Sequence, residues 1–284
     1  MSFTLGVVPY LNALPLYRTL EVASENPSVT ALARRRSTHV AGHAPVRVTR
    51  AVPSVLAPRL ARGECDVALI PIVEHLRGVG EKIISRACIG SYGAVRSVLL
   101  FSRVAPQDIS NVAVDSSSRT SVALLRIILS DAHNIAPAFI EHAPDWRVML
   151  QLNHAALLIG DRALEATLEN QNEIDSGRLH VLDLGEAWLR LTRLPFVYAA
   201  WVSRRGLESE REAELAVLLN AARDEGVRNV GQLACDNVIP TRLSSAQIED
   251  YLRHAITYEL SDEYRKGLEE FAKRCRAHGL IATS

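Results

Sequence analysis

The run Asp66-Val67-Ala68-Leu69-Ile70 constrains the fold of this chain more than any other stretch. It is apolar almost without interruption, so a strand built from it has no face that can look onto water. Such strands belong in the middle of a parallel sheet covered by helices on both sides. No run approaches the ~20 consecutive apolar residues that a membrane span requires. A layered α/β architecture is therefore the expectation.

The rest of the chain repeats the theme. Leu5-Gly6-Val7-Val8 is a short β run stopped by Pro9, and Arg47 to Ala51 alternates as a strand does. Between these lies a helical stretch from Asn12 to Leu20, and another, Val55 to Arg62, sits between Ser54 and Gly63. The first ninety residues thus read β-α-β-α-β. Ser97 to Phe101 then opens a second unit. It contains the strand Val112 to Val114, a polar turn from Asp115, a helix from Arg119 to Ser130, and the apolar strand Ala155 to Ile159. Val181 to Leu184 is a further strand before a short helix around Trp188, and Phe196 to Val202 is the last clear β run. From Glu208 onward the pattern reads as helix throughout, with Thr241 and Ser244 as caps. One lobe is begun, the chain crosses out near 97–101, builds a second lobe, and crosses back near 196–203. The expected boundaries are 1–97 with 204–284 for one lobe and 98–203 for the other. Two crossover strands between lobes make a hinge, and the hinge leaves a ligand cleft.

Composition narrows the partners. The 284 residues hold 32 basic and 32 acidic side chains, which argues against nucleic acid, since phosphate binding needs a basic excess. Cys65, Cys88, Cys235 and Cys275 are dispersed without C-x-x-C spacing, so neither a metal site nor a disulfide framework is expected. The N-terminus, Met1-Ser2-Phe3-Thr4, shows no basic and apolar leader, and a cytoplasmic protein away from membranes is expected. G-x-G-x-x-G, P-loop, H-E-x-x-H and G-x-S-x-G patterns are absent, so no cofactor is indicated.

In an open α/β lobe, ligands sit beyond the carboxyl ends of the strands. The strongest local signal there is Asp115-Ser116-Ser117-Ser118-Arg119-Thr120-Ser121, which leaves a strand and opens a helix. Free backbone N–H groups, hydroxyls and one arginine at that point suit a carboxylate; a plain capping run is the structural alternative. Asn12 can contact a ligand or cap the first helix. Ser54 reads first as a cap. Ser91, in Gly90-Ser91-Tyr92-Gly93, sits either at a close approach of backbone to ligand or in a simple turn. Asp161 either meets a ligand hydroxyl or caps the helix at Ala163. Tyr198, Trp188 and Trp201 read as core or hinge packing.

Pro9-Tyr10-Leu11-Asn12-Ala13-Leu14-Pro15-Leu16, Val52-Pro53-Ser54, Gly63 to Pro71, Ser97 to Ser102, Ser118-Arg119-Thr120-Ser121 and Leu194-Pro195-Phe196-Val197 occur in this order over the first two hundred residues. In that order they resemble the menaquinone-biosynthesis family of the futalosine pathway, in its chorismate dehydratase branch (MqnA). The resemblance implies a type II periplasmic-binding-protein fold. It also implies a lyase that removes water from the small dicarboxylate chorismate to give 3-[(1-carboxyvinyl)oxy]benzoate. It makes Asn12 and Ser91 the residues near the chemistry and the turn from Ser118 to Ser121 an anion site. Ser54 and Asp161, placed at strand ends of the two lobes, are expected as further substrate contacts. The opening Pro-Tyr-Leu-Asn favours this branch over the sister that makes 1,4-dihydroxy-6-naphthoate, which opens with a Pro-Asn-Asp type motif. A non-catalytic small-carboxylate binding protein is the reading from another class. The cleft loops offer no obvious histidine base, so a carboxylate of the substrate itself is expected to take the proton.

Overall fold

A computed structural model of the chain describes residues 2–25, 45–115, 117, 119–143, 145–236 and 238–282. Two sheets form, each flanked by helices, as the alternation of buried strands and amphipathic helices requires.

The first sheet begins with β1 (Phe3–Val7), which leads through a 3-10 turn (Leu11–Ala13) into α1 (Leu14–Glu25). β2 (Val46–Arg50), α2 (Pro53–Ala61), β3 (Val67–Pro71), α3 (Ile72–Leu76) and β4 (Ile83–Ser91) follow. β1 lies between β2 and β3, parallel to both. All five residues of β3 are buried, as its uniform apolarity demanded.

The chain then leaves this sheet. β5 (Val98–Ser102), β6 (Asn111–Val114), α4 (Arg119–His133), β7 (Ala138–Glu141), α5 (Trp146–Leu152), β8 (Ala155–Ile159), α6 (Asp161–Glu169), α7 (Gln171–Asp175), β9 (His180–Asp183) and α8 (Leu184–Thr192) build the second unit. Its sheet runs β7-β6-β8-β5-β9. β10 (Phe196–Ser203) returns the chain, and α9 (Ser209–Arg228), α10 (Val230–Cys235), α11 (Ser245–His254), β11 (Thr257–Glu259) and α12 (Asp262–Ala277) complete it. Two α/β lobes with two crossings between them result. Trp188, Trp201, Phe101 and Phe196 are fully buried, and each large apolar side chain removed from water contributes roughly 1.5–3 kcal/mol.

Three expectations are corrected. Phe196–Ser203, expected to end the second lobe, is a strand of the first sheet, whose order is β11-β4-β10-β3-β1-β2. It is antiparallel to β3 and β4 and buried along nearly its whole length, so it needs a partner on each side. Gly90 and Ser91 end strand β4 rather than forming a loop. Gly90 pairs with Val197 on one side and Thr257 on the other, and a Cβ there would meet the Phe196 carbonyl at 2.8 Å. The glycine serves strand packing, not a turn. Finally, the stretch after Glu208 is not wholly helical, because Thr257–Glu259 adds an edge strand to the first sheet.

The lobes are tied at several points. The Leu11 N–H donates to Asp161 Oδ1 at 3.1 Å, and the Val73 N–H donates to Thr120 Oγ1 at 3.3 Å. Glu74 faces Arg119 at 3.6 Å. Asp183, at the start of α8, accepts from the N–H groups of Val95 and Arg96 as well as Gly185 and Glu186, fastening the outgoing crossing to the second lobe.

Candidate active site

Parallel strands all present their carboxyl ends at one edge, and the loops leaving that edge start helices. The cavity between the sheets lies on this edge of both lobes. The first lobe contributes Tyr10 and Asn12 after β1, Pro53 after β2 and Pro71 at the end of β3. The second contributes Ser117, Arg119, Thr120 and Ser121 after β6, and Ile159 and Gly160 after β8. Val95, Ser97, Tyr198 and Ala199, beside the crossings, line the rest. The walls are largely apolar, with a few hydroxyls, one amide and one guanidinium placed among them.

Asn12 does not cap a helix. It sits inside the 3-10 turn, whose N-cap is Tyr10 without a side-chain bond. Its Oδ1 is buried with no hydrogen-bond partner among the described residues. A buried orphan acceptor costs about 1–3 kcal/mol, so it marks a place where a ligand donor would be welcome. Arg119 opens α4, and Thr120 and Ser121 follow in its first turn, where backbone N–H groups lack intrahelical partners. Thr120 spends its oxygen on the Val73 N–H, which leaves its own O–H to donate.

Ser54 and Asp161 line an adjoining outer pocket with Asp115, His142 and Arg162. Tyr10 and Ser117 stand between the two spaces, lining both. Ser54 is the second residue of α2 and caps nothing, because the N-cap is Val52 without a side-chain bond. Asp161 is not the cap of α6 either, since Gly160 holds that position at φ 63°. Its carboxylate instead binds the Leu11 N–H of the other lobe. Burial raises its pKa to about 7. Burial likewise pushes the Tyr10 and Tyr198 phenols up, so both stay protonated near neutral pH. Ser118 lies outside the described residues.

Ser91 is not among the residues lining the cavity. It is buried behind Tyr198, donating to the Gly93 carbonyl at 3.1 Å and sharing a 3.2 Å bond with the Tyr198 hydroxyl. A Cβ on Gly185 would lie 2.7 Å from the Ser91 hydroxyl and 2.3 Å from the Gly93 carbonyl, so this corner is fully packed. Of the two serines beside the outgoing crossing, Ser97 is the one among the residues lining the cavity, and it too is fully buried. It accepts the Tyr251 O–H at 2.7 Å, and its carbonyl accepts the Gly160 N–H at 2.7 Å. Ser97 opens the crossing run and was legible only as strand. Tyr251 comes from α11, where no motif pointed to it. Tyr198 read as packing and is both packing and wall.

The two tied lobes, with a cavity at the strand ends of both sheets, define a protein of the periplasmic-binding-protein fold. A Candida albicans protein whose family exhibits that generic fold superposes with a TM-score of 0.62 at 11% identity, covering 100% of this chain and 92% of the other. Protein AF1704 from Archaeoglobus fulgidus superposes at 0.67, with 16% identity and 99% and 98% coverage. Residues 3–277 match the menaquinone biosynthesis family, and the chain belongs to it. The chorismate dehydratase of Thermus thermophilus is 28% identical over 283 residues, which is 95% of this chain and 94% of that protein. Among the described residues, no helix is long and apolar enough to cross a membrane.

Proposed function

We propose that this protein is a chorismate dehydratase, converting chorismate into 3-[(1-carboxyvinyl)oxy]benzoate and water. Likeness to the Thermus enzyme along the whole chain supports the choice of substrate. The observation that carries the reading is the polar set of the cavity: a buried orphan acceptor on Asn12, the Ser97 hydroxyl, and the arginine–hydroxyl start of α4 opposite them. That set suits a molecule with a hydroxyl at one end and a ring carboxylate at the other.

The reaction breaks a ring C–H bond and the neighbouring C–OH bond and forms a C=C bond that completes an aromatic ring. The proton and the hydroxide leave as water. Aromatisation makes the change strongly downhill, so the protein needs to position groups and assist proton transfer. Arg119, Thr120 and Ser121 hold a carboxylate. Asn12 and Ser97 hold the departing hydroxyl. Among the described residues lining the cavity there is no carboxylate, imidazole or thiol. A carboxylate of the substrate therefore takes the ring proton. A dianion does not cross membranes unaided, and the reading places the protein in the cytoplasm with its substrate.

The lobes of the working enzyme are residues 2–97 with 196–282, and 98–195, which keeps β10 with its own sheet. Incubation with chorismate, followed by mass spectrometry, tests the function. Loss of one water is the expected result. Chorismate bound tightly but recovered unchanged would make the protein a binding module instead. A third result, turnover only of the sister branch's substrate to 1,4-dihydroxy-6-naphthoate, would move it to that branch.

A further inference from the structure

The 3-10 turn that carries Asn12 is short of an acceptor. Leu11 contributes the first N–H of the turn, a position with no partner inside the turn itself. The N-cap, Tyr10, makes no side-chain bond to it. Bonds within the turn begin only with the Ala13 N–H, which donates to the Tyr10 carbonyl at 3.0 Å, and the Leu14 N–H, which donates to the Leu11 carbonyl. Leu11 is buried, so its N–H needs an oxygen from the protein.

That oxygen comes from the other sheet. Asp161 Oδ1 receives the Leu11 N–H at 3.1 Å, across 150 positions of sequence. Among the described residues this is the only hydrogen bond of the Asp161 side chain, which does not cap its own helix. The start of α6 is seated against the turn. Gly160 holds φ at 63°, a left-handed value that favours glycine, and a Cβ there would lie 3.4 Å from the Tyr10 ring. Further along α6, Glu165 accepts the Thr241 O–H and the Arg242 N–H, both at 2.9 Å, and Glu169 pairs with the Arg242 guanidinium. Asp161, Glu165 and Glu169 recur at every fourth residue, so one stripe of the helix is spent on donors from the first lobe.

We propose that Asp161 is a positioning residue: from the second lobe it completes the turn that carries Asn12, and so fixes where the Asn12 amide stands in the cavity. The inference rests on the dehydratase reading and deepens it. Asn12 follows Leu11 directly, so a turn released at Leu11 moves the amide away from the departing hydroxyl. Arg119, Thr120 and Ser121 stand on α4 and do not depend on that turn. Loss of Asp161 therefore disturbs the reacting end of the cavity and spares the carboxylate end.

The test compares the wild-type protein with Asp161→Ala and Asp161→Asn. With chorismate, Asp161→Ala should lower kcat about tenfold to a hundredfold, the effect of misplacing a reacting group by about 1 Å. KM should move by less than about threefold. Asp161→Asn still offers an oxygen to the Leu11 N–H and should keep kcat within about threefold of wild type. Adding Asp161→Ala to Asn12→Ala should cost little beyond Asn12→Ala alone, because the aspartate acts through the asparagine. A carboxylate that only stabilised the fold would add its loss in full. Should Asp161→Ala not fold, Asp161→Ser, whose oxygen sits one bond short, takes its place with the same expectations. Wild-type kcat without the carboxylate overturns the inference, and so does an additive double variant or a failure of Asp161→Asn to rescue. A wild-type protein that leaves chorismate untouched sinks the dehydratase reading instead. The placement of the turn is then decided without turnover, by hydrogen exchange of the Leu11 amide in nuclear magnetic resonance. Exchange should be slow in wild type and Asp161→Asn and at least about tenfold faster in Asp161→Ala. Equal exchange in all three proteins contradicts the placement.

Discussion

Two serine–tyrosine pairs stand near the outgoing crossing, and their chemistry is almost the same. Ser91 meets Tyr198 at 3.2 Å, and Ser97 meets Tyr251 at 2.7 Å. Their surroundings separate them. Ser91 gives its proton to the Gly93 carbonyl, and Gly185 is pressed against both, so every polar atom of that corner is used within the protein. Ser97 accepts a hydrogen bond, shows no acceptor for its own O–H among the described residues, and, although equally buried, is one of the residues lining the cavity. The lesson is that a serine's role is set by which hydrogen bonds remain unspent. Residue type and local spacing do not report it.

Substitutions can break or sharpen this contrast. The largest effect is expected from Asn12→Ala and Ser97→Ala. On the proposed reading each removes a group that meets the leaving hydroxyl, and chorismate turnover should fall by roughly a hundredfold or more in steady-state assays. Arg119→Ala should raise KM about tenfold with little change in kcat if its guanidinium holds a carboxylate before and during reaction, as proposed. Gly185→Ala forces a Cβ into the Ser91 corner, and thermal unfolding should show a loss of about 1–3 kcal/mol. Ser91→Ala should cost only about 1 kcal/mol of stability and leave kcat within a few-fold, since it removes one internal bond.

The last effect is a pH dependence, read in stability and not in turnover. Asp161 has a folded pKa raised to about 7 by burial, above its ordinary value of 3.8. Between these values the folded protein keeps a proton that the unfolded chain has released. Its contribution to stability is therefore full below about pH 4 and is lost as pH rises towards 7. Denaturation midpoints measured across that window should flatten in Asp161→Asn, which can still accept from Leu11. Turnover should survive this change, since Asp161 lies in the outer pocket and the proposed reading gives the proton to a substrate carboxylate.

How far the fold could be read beforehand depends on how local its cause is. β3 and β8 were legible because a run apolar on both faces has one home, the middle of a covered sheet. The first half of β4 was not, because Ser85 and Arg86 interrupt its apolar pattern and its edge partner arrives only at Thr257. Within the site, Asn12, Arg119, Thr120 and Ser121 follow parallel strands, where position alone marks them. Ser97 was hidden because it precedes an apolar run and looks like its first residue. Tyr251 was hidden more deeply. Its contact with Ser97 spans 154 positions of sequence, and no spacing rule reaches so far. Ser54 and Asp161 carried capping signals, yet neither caps its own helix, because side-chain direction follows from the tertiary placement of the turn.

The contrast between the two serines can be put to one measurement. Chorismate is supplied in excess to equal amounts of wild-type protein, Ser97→Ala and Ser91→Ala, and the aromatic product is followed by ultraviolet absorbance. The account predicts rapid formation with wild type, a rate near wild type with Ser91→Ala, and roughly hundredfold slower formation with Ser97→Ala. Slow formation with Ser91→Ala beside normal formation with Ser97→Ala would contradict it.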